Sequence, residues 1–277
     1  MNLCPPRADD MSPVSPARLS RVTPRTLLLV ALLVPLHLPL AAQVNIESLR
    51  REDPPDGDSG SLGGDLSINT GNVDFVQMRL NGRVNRVEGN RTSLLIAEGG
   101  VAFLRGSRFA SSGLLHYRQT QWVSDVFGPE WYAQLNYDRP QLLDLRAVVG
   151  AGVRTEFASS SWGRLGAGTA LMLEHERLDL TKAAVHDWRT SKVRNSTFLT
   201  FRIVPGDYLV ISSTTYIQPS LSDFTGDVRV LENMRIAASV TENWDLTVTF
   251  DLRYDSGPPD GIEGLDTRLR TGLTYTY

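Results

Sequence analysis

From Trp244 to Asp255 the chain alternates without an error, with Trp244, Leu246, Val248, Phe250, Leu252 and Tyr254 on even positions and Asp245, Thr247, Thr249, Asp251, Arg253 and Asp255 on odd ones. A repeat of two is the repeat of a β-strand, whose successive side chains point to opposite faces. One face of this segment is therefore apolar and the other charged. The pattern recurs at Val76, Met78, Leu80 and Val84 against Gln77, Arg79, Asn81, Arg83 and Asn85. It recurs again at Leu143, Leu145, Ala147, Val149, Ala151 and Val153 against Asp144, Arg146, Gly150, Gly152, Arg154 and Glu156. Leu165, Ala167, Thr169, Leu171 and Leu173 oppose Gly166, Gly168, Glu174 and Glu176, and Leu269, Leu273, Tyr275 and Tyr277 oppose Arg268, Arg270, Thr274 and Thr276. Such a chain builds sheet. No apolar run reaches the length of a transmembrane helix.

Between turn signals the sequence divides into twelve candidate strands, beginning near Ser61, Asp74, Arg91, Ser112, Glu130, Leu142, Gly163, Arg194, Tyr208, Asp227, Trp244 and Asp266. The stretch from Gly113 to Val123 alternates least cleanly. Most segments run about 10 to 13 residues, longer than strands of soluble sheets and suited to a tilted membrane strand. The connections alternate as well. If the first strand runs outward, the turns at 87–91, 124–129, 158–162, 204–207 and 241–243 fall on the periplasmic side, and all are short. The long connections at 179–193, 219–226 and 255–265 fall outside, together with two short ones at 70–73 and 139–140. This is the asymmetry of an outer-membrane barrel.

The expectation is an all-β fold, an antiparallel transmembrane β-barrel of about 12 strands, over residues 61–277. The competing reading is a soluble periplasmic barrel or sandwich, with the apolar face turned into a core. Against it stand the glycines and paired Arg and Glu residues on the polar face, where a solvated face favours lysine; lysine occurs only at Lys182 and Lys192. Trp122, Trp131, Tyr137, Trp244, Tyr254 and Tyr277 lie near strand ends, as interfacial aromatic girdles do.

Residues 1–42 read as a cleaved signal peptide, with Arg18, Arg21 and Arg25 before an apolar stretch from Leu27 to Leu40 and a small-residue end at Ala41 and Ala42. The acidic pair Asp9 and Asp10 sits awkwardly there, and Met11 is a second candidate start. Residues 43–60, with the run Asp53 to Gly60, are expected to be a flexible periplasmic lead-in. The formal net charge is −3, and losing the first 42 residues removes four arginines against two aspartates, which argues against a nucleic-acid partner. Cys4 is the sole cysteine and lies in the discarded segment, so disulfides, thiol catalysis and thiolate metal sites are excluded from the rest.

Several stretches resemble the putative salt-induced outer membrane proteins, a domain of unknown function numbered 481. They are Val44 to Arg50, Gly71-Asn72, Leu145-Arg146 with Gly150 to Arg154, Arg194 to Phe201, Tyr216 to Pro219, and Tyr254 to Pro259 with Asp266 before the last strand. The resemblance implies a porin-like barrel of the Gram-negative outer membrane, of unassigned activity and linked to salt or osmotic conditions. It supplies no catalytic residues.

The inward face is expected to carry Arg79, Arg83, Arg146, Arg154, Glu174, Glu176, Arg229, Arg235, Asp251, Arg253, Arg268 and Arg270, with Asp144 beside them. Two readings follow. The charges pair into a ladder that braces the wall, or an excess of arginine lines a narrow channel and selects anions. Leu273, Tyr275 and Tyr277 form the expected C-terminal signal to the outer-membrane assembly machinery. Lipid and lipopolysaccharide are the other expected partners. Enzymatic activity is not expected: His116, His175 and His186 lack a nucleophile pattern, and His186-Asp187 reads as a solvated loop. Asp255, Asp260, Glu263 and Asp266 lack the spacing of a calcium loop and read as an acidic turn, so no metal or cofactor is expected. The rival function is a surface interaction scaffold that uses loop 179–193.

Overall fold

The computed structural model describes residues 54–71, 74–179, 186–206, 208–241 and 243–275. The expected signal peptide, most of the lead-in, and Tyr277 lie outside the described residues. Twelve strands follow one another: β1 (Gly57–Asn69), β2 (Phe75–Glu88), β3 (Arg91–Leu104), β4 (Ser107–Gln121), β5 (Phe127–Asp138), β6 (Leu143–Ser160), β7 (Gly163–Leu178), β8 (Arg189–Gly206), β9 (Leu209–Pro219), β10 (Val228–Ser239), β11 (Trp244–Asp255) and β12 (Leu265–Tyr275). They form one antiparallel sheet in sequence order, each strand paired with the next. Every connection is thus a hairpin, the up-and-down plan that alternation and short turns dictate.

Side-chain contacts between distant strands show that the sheet curls on itself. Arg229 on β10 reaches Glu174 and Glu176 on β7, across two intervening strands. Gln141, in the single 3₁₀ turn between β5 and β6, donates to Asp266 on β12 at 3.5 Å. The molecule is a barrel by curvature. Among the described residues, however, no hydrogen-bonded ladder joins β12 to β1.

The faces are inverted relative to a water-soluble sandwich. Leu80, Leu171 and Leu173 are 55%, 58% and 52% exposed, whereas Arg194 and Glu174 are 0% and 3% exposed. Apolar side chains cover the outside and charges fill the inside. Exposed aromatics collect at the ends: Trp162, Tyr208, Trp244 and Tyr275 at the end of the short periplasmic-type turns, Tyr137, Trp188 and Tyr254 at the opposite end, which carries the long loops. The Trp244 and Tyr275 rings sit 4.9 Å apart across β11 and β12.

Four expectations change. β1 starts at Gly57, inside the segment expected to precede the sheet. The least regular stretch belongs to an orderly β4 that begins at Ser107, after a tight turn whose residues Arg105 and Gly106 both have positive φ, 49° and 77°. That is the backbone a two-residue hairpin requires. β8 begins at Arg189, five residues before the expected start. Finally, the β6–β7 register shifts between Leu143 and Leu145. A bulge inserts one residue and moves what precedes it to the other face. Leu143 is therefore buried inside against Leu178, while Asp144 points outward, 3.8 Å from Arg177.

Candidate functional site: the lumen

Strand register decides which residues can meet inside. Arg146 opposes Glu176 across β6 and β7, and Arg229 opposes Asp255 across β10 and β11. Directly opposed residues of an antiparallel pair share a face, so these four point inward together. Glu174, one step along β7, accepts from Arg194 Nε at 2.9 Å and from Arg229 Nη1 at 2.6 Å, and lies 3.4 Å from Arg146 Nε. Glu176 accepts from Arg146 and, at 3.1 Å, from Arg229 Nη2. Arg229 Nε completes the set by donating to Asp255 at 2.8 Å. Three arginines on three strands thus surround one carboxylate. All are buried, and the pairing is what makes their burial tolerable.

The network runs outward to the loop end. Arg194 Nη2 lies 2.8 Å from Asp227 Oδ1, and Lys192 Nζ donates to Asp227 Oδ2 at 2.6 Å. Burial pushes the Asp227 carboxyl up, but Lys192 and Arg194 outweigh it and hold the group below the ordinary carboxylate range.

A second cluster lies deeper among β4, β5 and β6. Glu130 stands 3.5 Å from Arg118 Nη1 and 3.9 Å from Arg154 Nη1. Arg118 covers the Tyr132 ring at 5.2 Å and Arg154 covers Phe198 at 5.1 Å, both cation–π distances. Tyr132 lies against Gly150 and Phe198 against Gly168, where any Cβ would overlap the ring. The glycines of the polar face therefore leave room for rings to lie flat on the wall. This half of the lumen is packed solid.

The strands nearest the sheet edges differ. Asp65 on β1 opposes Arg79 on β2 at 3.4 Å, and Arg270 on β12 donates to Asp251 on β11 at 2.9 Å. Arg253 pairs with Asp266. Arg83, Arg235 and Arg268 share this inward face. Unlike the buried pairs, Arg79 and Arg270 side chains remain 41% and 59% exposed.

All twelve expected lumen charges thus lie on the inward face, but they form two sets. Arg146, Arg154, Glu174, Glu176 and Arg229 join the packed clusters, Arg253 lies between the sets with its side chain 12% exposed, and Arg79, Arg83, Arg235, Asp251, Arg268 and Arg270 lie toward the more open side. Sequence reasoning passed over Arg118, Glu130, Lys192, Arg194 and Asp227. Lys192 lies before the expected start of β8 near Arg194. Arg118 and Glu130 become visible once the β4–β5 register places Thr120 opposite Glu130.

At the loop end, Gly257, Pro258, Pro259, Ile262 and Gly264 line a partly open pocket together with Arg146, Glu176, Arg229 and Arg253. The His186 backbone N–H donates to Asp260 Oδ2 at 3.0 Å, tying the β7–β8 loop to this one. His186 is therefore engaged rather than freely solvated. Of the acidic residues expected in a plain turn, Asp255, Asp260 and Asp266 each hold a partner inside the molecule. Leu273 and Tyr275 face outward at the end of β12.

The model for a protein of unknown function, DUF481, matches residues 61–277, and the chain belongs to that family. No curated protein matches the sequence. Among solved structures, the NanC porin is 9% identical, with 79% of this chain and 99% of that chain covered and a TM-score of 0.45. The KdgM porin in complex with disordered oligogalacturonate is 11% identical, with 79% and 98% covered and a TM-score of 0.34. The translocator domain of the autotransporter NalP from Neisseria meningitidis is 13% identical, with 79% and 86% covered and a TM-score of 0.32.

Proposed function

We propose that this chain is an outer-membrane β-barrel of the Gram-negative envelope, exported through a cleaved signal peptide, that braces the membrane and admits small solutes slowly along one side of its lumen. The carrying observation is the split interior. Many inward side chains of β4 to β9, with Arg229 and Leu231 on β10, are buried around two ionic clusters, whereas Asp65 on β1, Arg79 on β2 and Arg270 on β12 stay in contact with solvent. A barrel filled throughout would be purely structural, and one empty throughout would be a general porin. This one is half filled.

The outward apolar belt and the end girdles support residence in a bilayer, with lipid and lipopolysaccharide around the wall. Leu273 and Tyr275, with Tyr277 beyond the described residues, would present the outward C-terminal pattern to the assembly machinery. Neither catalysis nor a cofactor forms part of this reading. The association with salt is tested separately, by growth of a deletion strain under high osmolarity with and without the restored gene.

The direct test is single-channel recording in planar bilayers on protein extracted from outer membranes, with heat-modifiable gel mobility confirming that the barrel is folded. A small, steady conductance is the expected result. A folded barrel that passes no current removes the passage and leaves the bracing role.

A further inference from the structure

We propose that the outer wall of β7 to β10 is an interface within the membrane, and that its occupant is a second copy of this chain. This rests on the reading that the outward belt meets lipid. Glu232 carries the argument. Register places it opposite Thr215 on β9 and Leu252 on β11, on the face away from the buried Arg229 and Leu231. Its outward neighbours along β10 are Val230 and Met234, so it stands within the apolar belt and not at the rim. Among the described residues no other outward carboxylate is flanked in this way; outward charges such as Arg86, Glu88, Arg177 and Arg189 stand at or near strand ends. The Glu232 oxygens accept from the Ser213 hydroxyl at 2.6 Å and from the Thr215 hydroxyl, and no basic side chain among the described residues pairs with it. A carboxylate has room for about four such bonds, and an ionisable group at membrane depth is kept where protein rather than lipid surrounds it.

β7 and β8 carry the complement. Asn195 Nδ2 donates to Thr169 at 3.0 Å, Thr197 donates to Asn195 Oδ1 at 2.7 Å, and the two threonine hydroxyls lie 2.9 Å apart. The remaining amide contact, to the Ala170 carbonyl, is long at 3.5 Å, so this donor can turn to a stronger acceptor. All three side chains face outward among the exposed Leu171, Val193 and Leu199. Elsewhere the belt carries single hydroxyls, as at Thr267 and Thr271 on β12. Here two hydrogen-bonded groups adjoin, with Thr197 and Thr215 diagonal neighbours across β8 and β9. The order of the groups selects the occupant. A two-fold axis along the membrane normal, passing between β8 and β9, sets β7 and β8 of each copy against β10 and β9 of the other. The amide and hydroxyl donors of one copy then meet the carboxylate of the other, twice over. An acyl chain offers that carboxylate no donor, whereas hydrogen bonds of this kind hold proteins together inside membranes, where apolar walls gain nothing over lipid.

The experiment is disulfide cross-linking in intact outer membranes, on the full chain with Cys4→Ser so that an introduced thiol is the only one. Leu199→Cys, opposite Thr215 at the centre of the patch, is compared with Leu80→Cys, equally outward on β2 six strands away. Heat-modifiable mobility verifies that each barrel is folded. Oxidation should give a species of twice the chain mass from Leu199→Cys and none from Leu80→Cys. Adding Glu232→Leu, which exchanges a charge for an apolar residue in the belt and so keeps the barrel folded, should cut that product about tenfold. Adding Thr271→Leu, outside the patch, should leave it unchanged. A folded barrel that gives no doubled species, equal product from both positions, or product indifferent to Glu232→Leu overturns the proposal. A cross-linked species of another mass overturns the second copy and assigns the wall to a different protein. A chain absent from the outer-membrane fraction overturns the membrane reading and the interface with it.

Discussion

Arg194 and Arg270 are both inward arginines with a carboxylate partner at 2.9 Å, yet the side chain of the first is fully buried and that of the second is 59% exposed. The difference lies in what surrounds the pair. Around Arg194 the wall supplies Glu174, Asp227, the Gln218 carbonyl and the neighbouring Arg229, so every direction is occupied. Around Arg270 lie Thr249, directly opposite on β11, and Gly272, the next inward position of β12. The same chemistry therefore serves as structure on one side of the barrel and as a water-facing lining on the other. A strong pair distance says little about an ion pair until its solvent is known.

Removing a carboxylate from each half separates the two roles most sharply. Glu174→Gln leaves Arg146, Arg194 and Arg229 without their shared acceptor, and breaking a buried pair of this kind costs about 3 to 5 kcal/mol. Asp251→Asn removes a partner from a solvent-facing arginine and should cost about 0 to 1 kcal/mol. Urea unfolding in detergent, followed by heat-modifiable mobility, compares them. Equal losses would mean that the lumen has no exposed side.

Glycine offers a second contrast with a smaller expected effect. A Cβ at Gly152 would overlap the Thr169 carbonyl and Ala170, so Gly152→Ala forces β6 and β7 apart at a cost of about 1 to 3 kcal/mol. A Cβ at Gly272 meets nothing within 4 Å, and Gly272→Ala should stay within about 0.5 kcal/mol of wild type. If Gly272→Ala proves the more damaging, the open side is filled by something other than water.

Much of the architecture was legible in the order of residues, because alternation with a polar inner face is a local signal repeated in each strand. The count of twelve and the inward parity of Arg229 or Glu174 follow from it directly. Bulges break it. The shift after Leu143 sends Asp144 outward, and nothing in Leu143-Asp144-Leu145 announces the extra residue. Lys192 lies before the expected start of β8 near Arg194, since residues 189–193 alternate only weakly. The split of the lumen was not legible at all. It depends on which strands curl toward each other, and the reach of Arg229 to β7 is a contact between positions 53 and 55 residues apart.

The rim of the packed half responds to acid. Asp227 is held below the ordinary carboxylate range, so it stabilises the fold above the unfolded-state value near pH 4 and loses that contribution as pH falls through its lower folded value. Asp227→Asn should remove about 1.5 kcal/mol at neutral pH and flatten the loss of stability in acid. Stability profiles between neutral and strongly acidic pH should therefore converge at the acid end. Parallel profiles would show that the Lys192 and Arg194 contacts do not survive in solution.

Asp65→Asn should have only a small effect on stability, and it is the most informative about the open half. Asp65 and Arg79 are 58% and 41% exposed at 3.4 Å, a pair worth about 0.2 to 1 kcal/mol. Urea midpoints should barely move. The charge of the open side does move, because a carboxylate is lost beside Arg79 while every arginine remains. The reversal potential in a KCl gradient across a planar bilayer should therefore shift toward the chloride side. A variant that changes selectivity without changing stability marks Asp65 as lining rather than brace. If stability falls as far as in Glu174→Gln while selectivity stays fixed, β1 belongs to the packed half and the division of the barrel lies elsewhere.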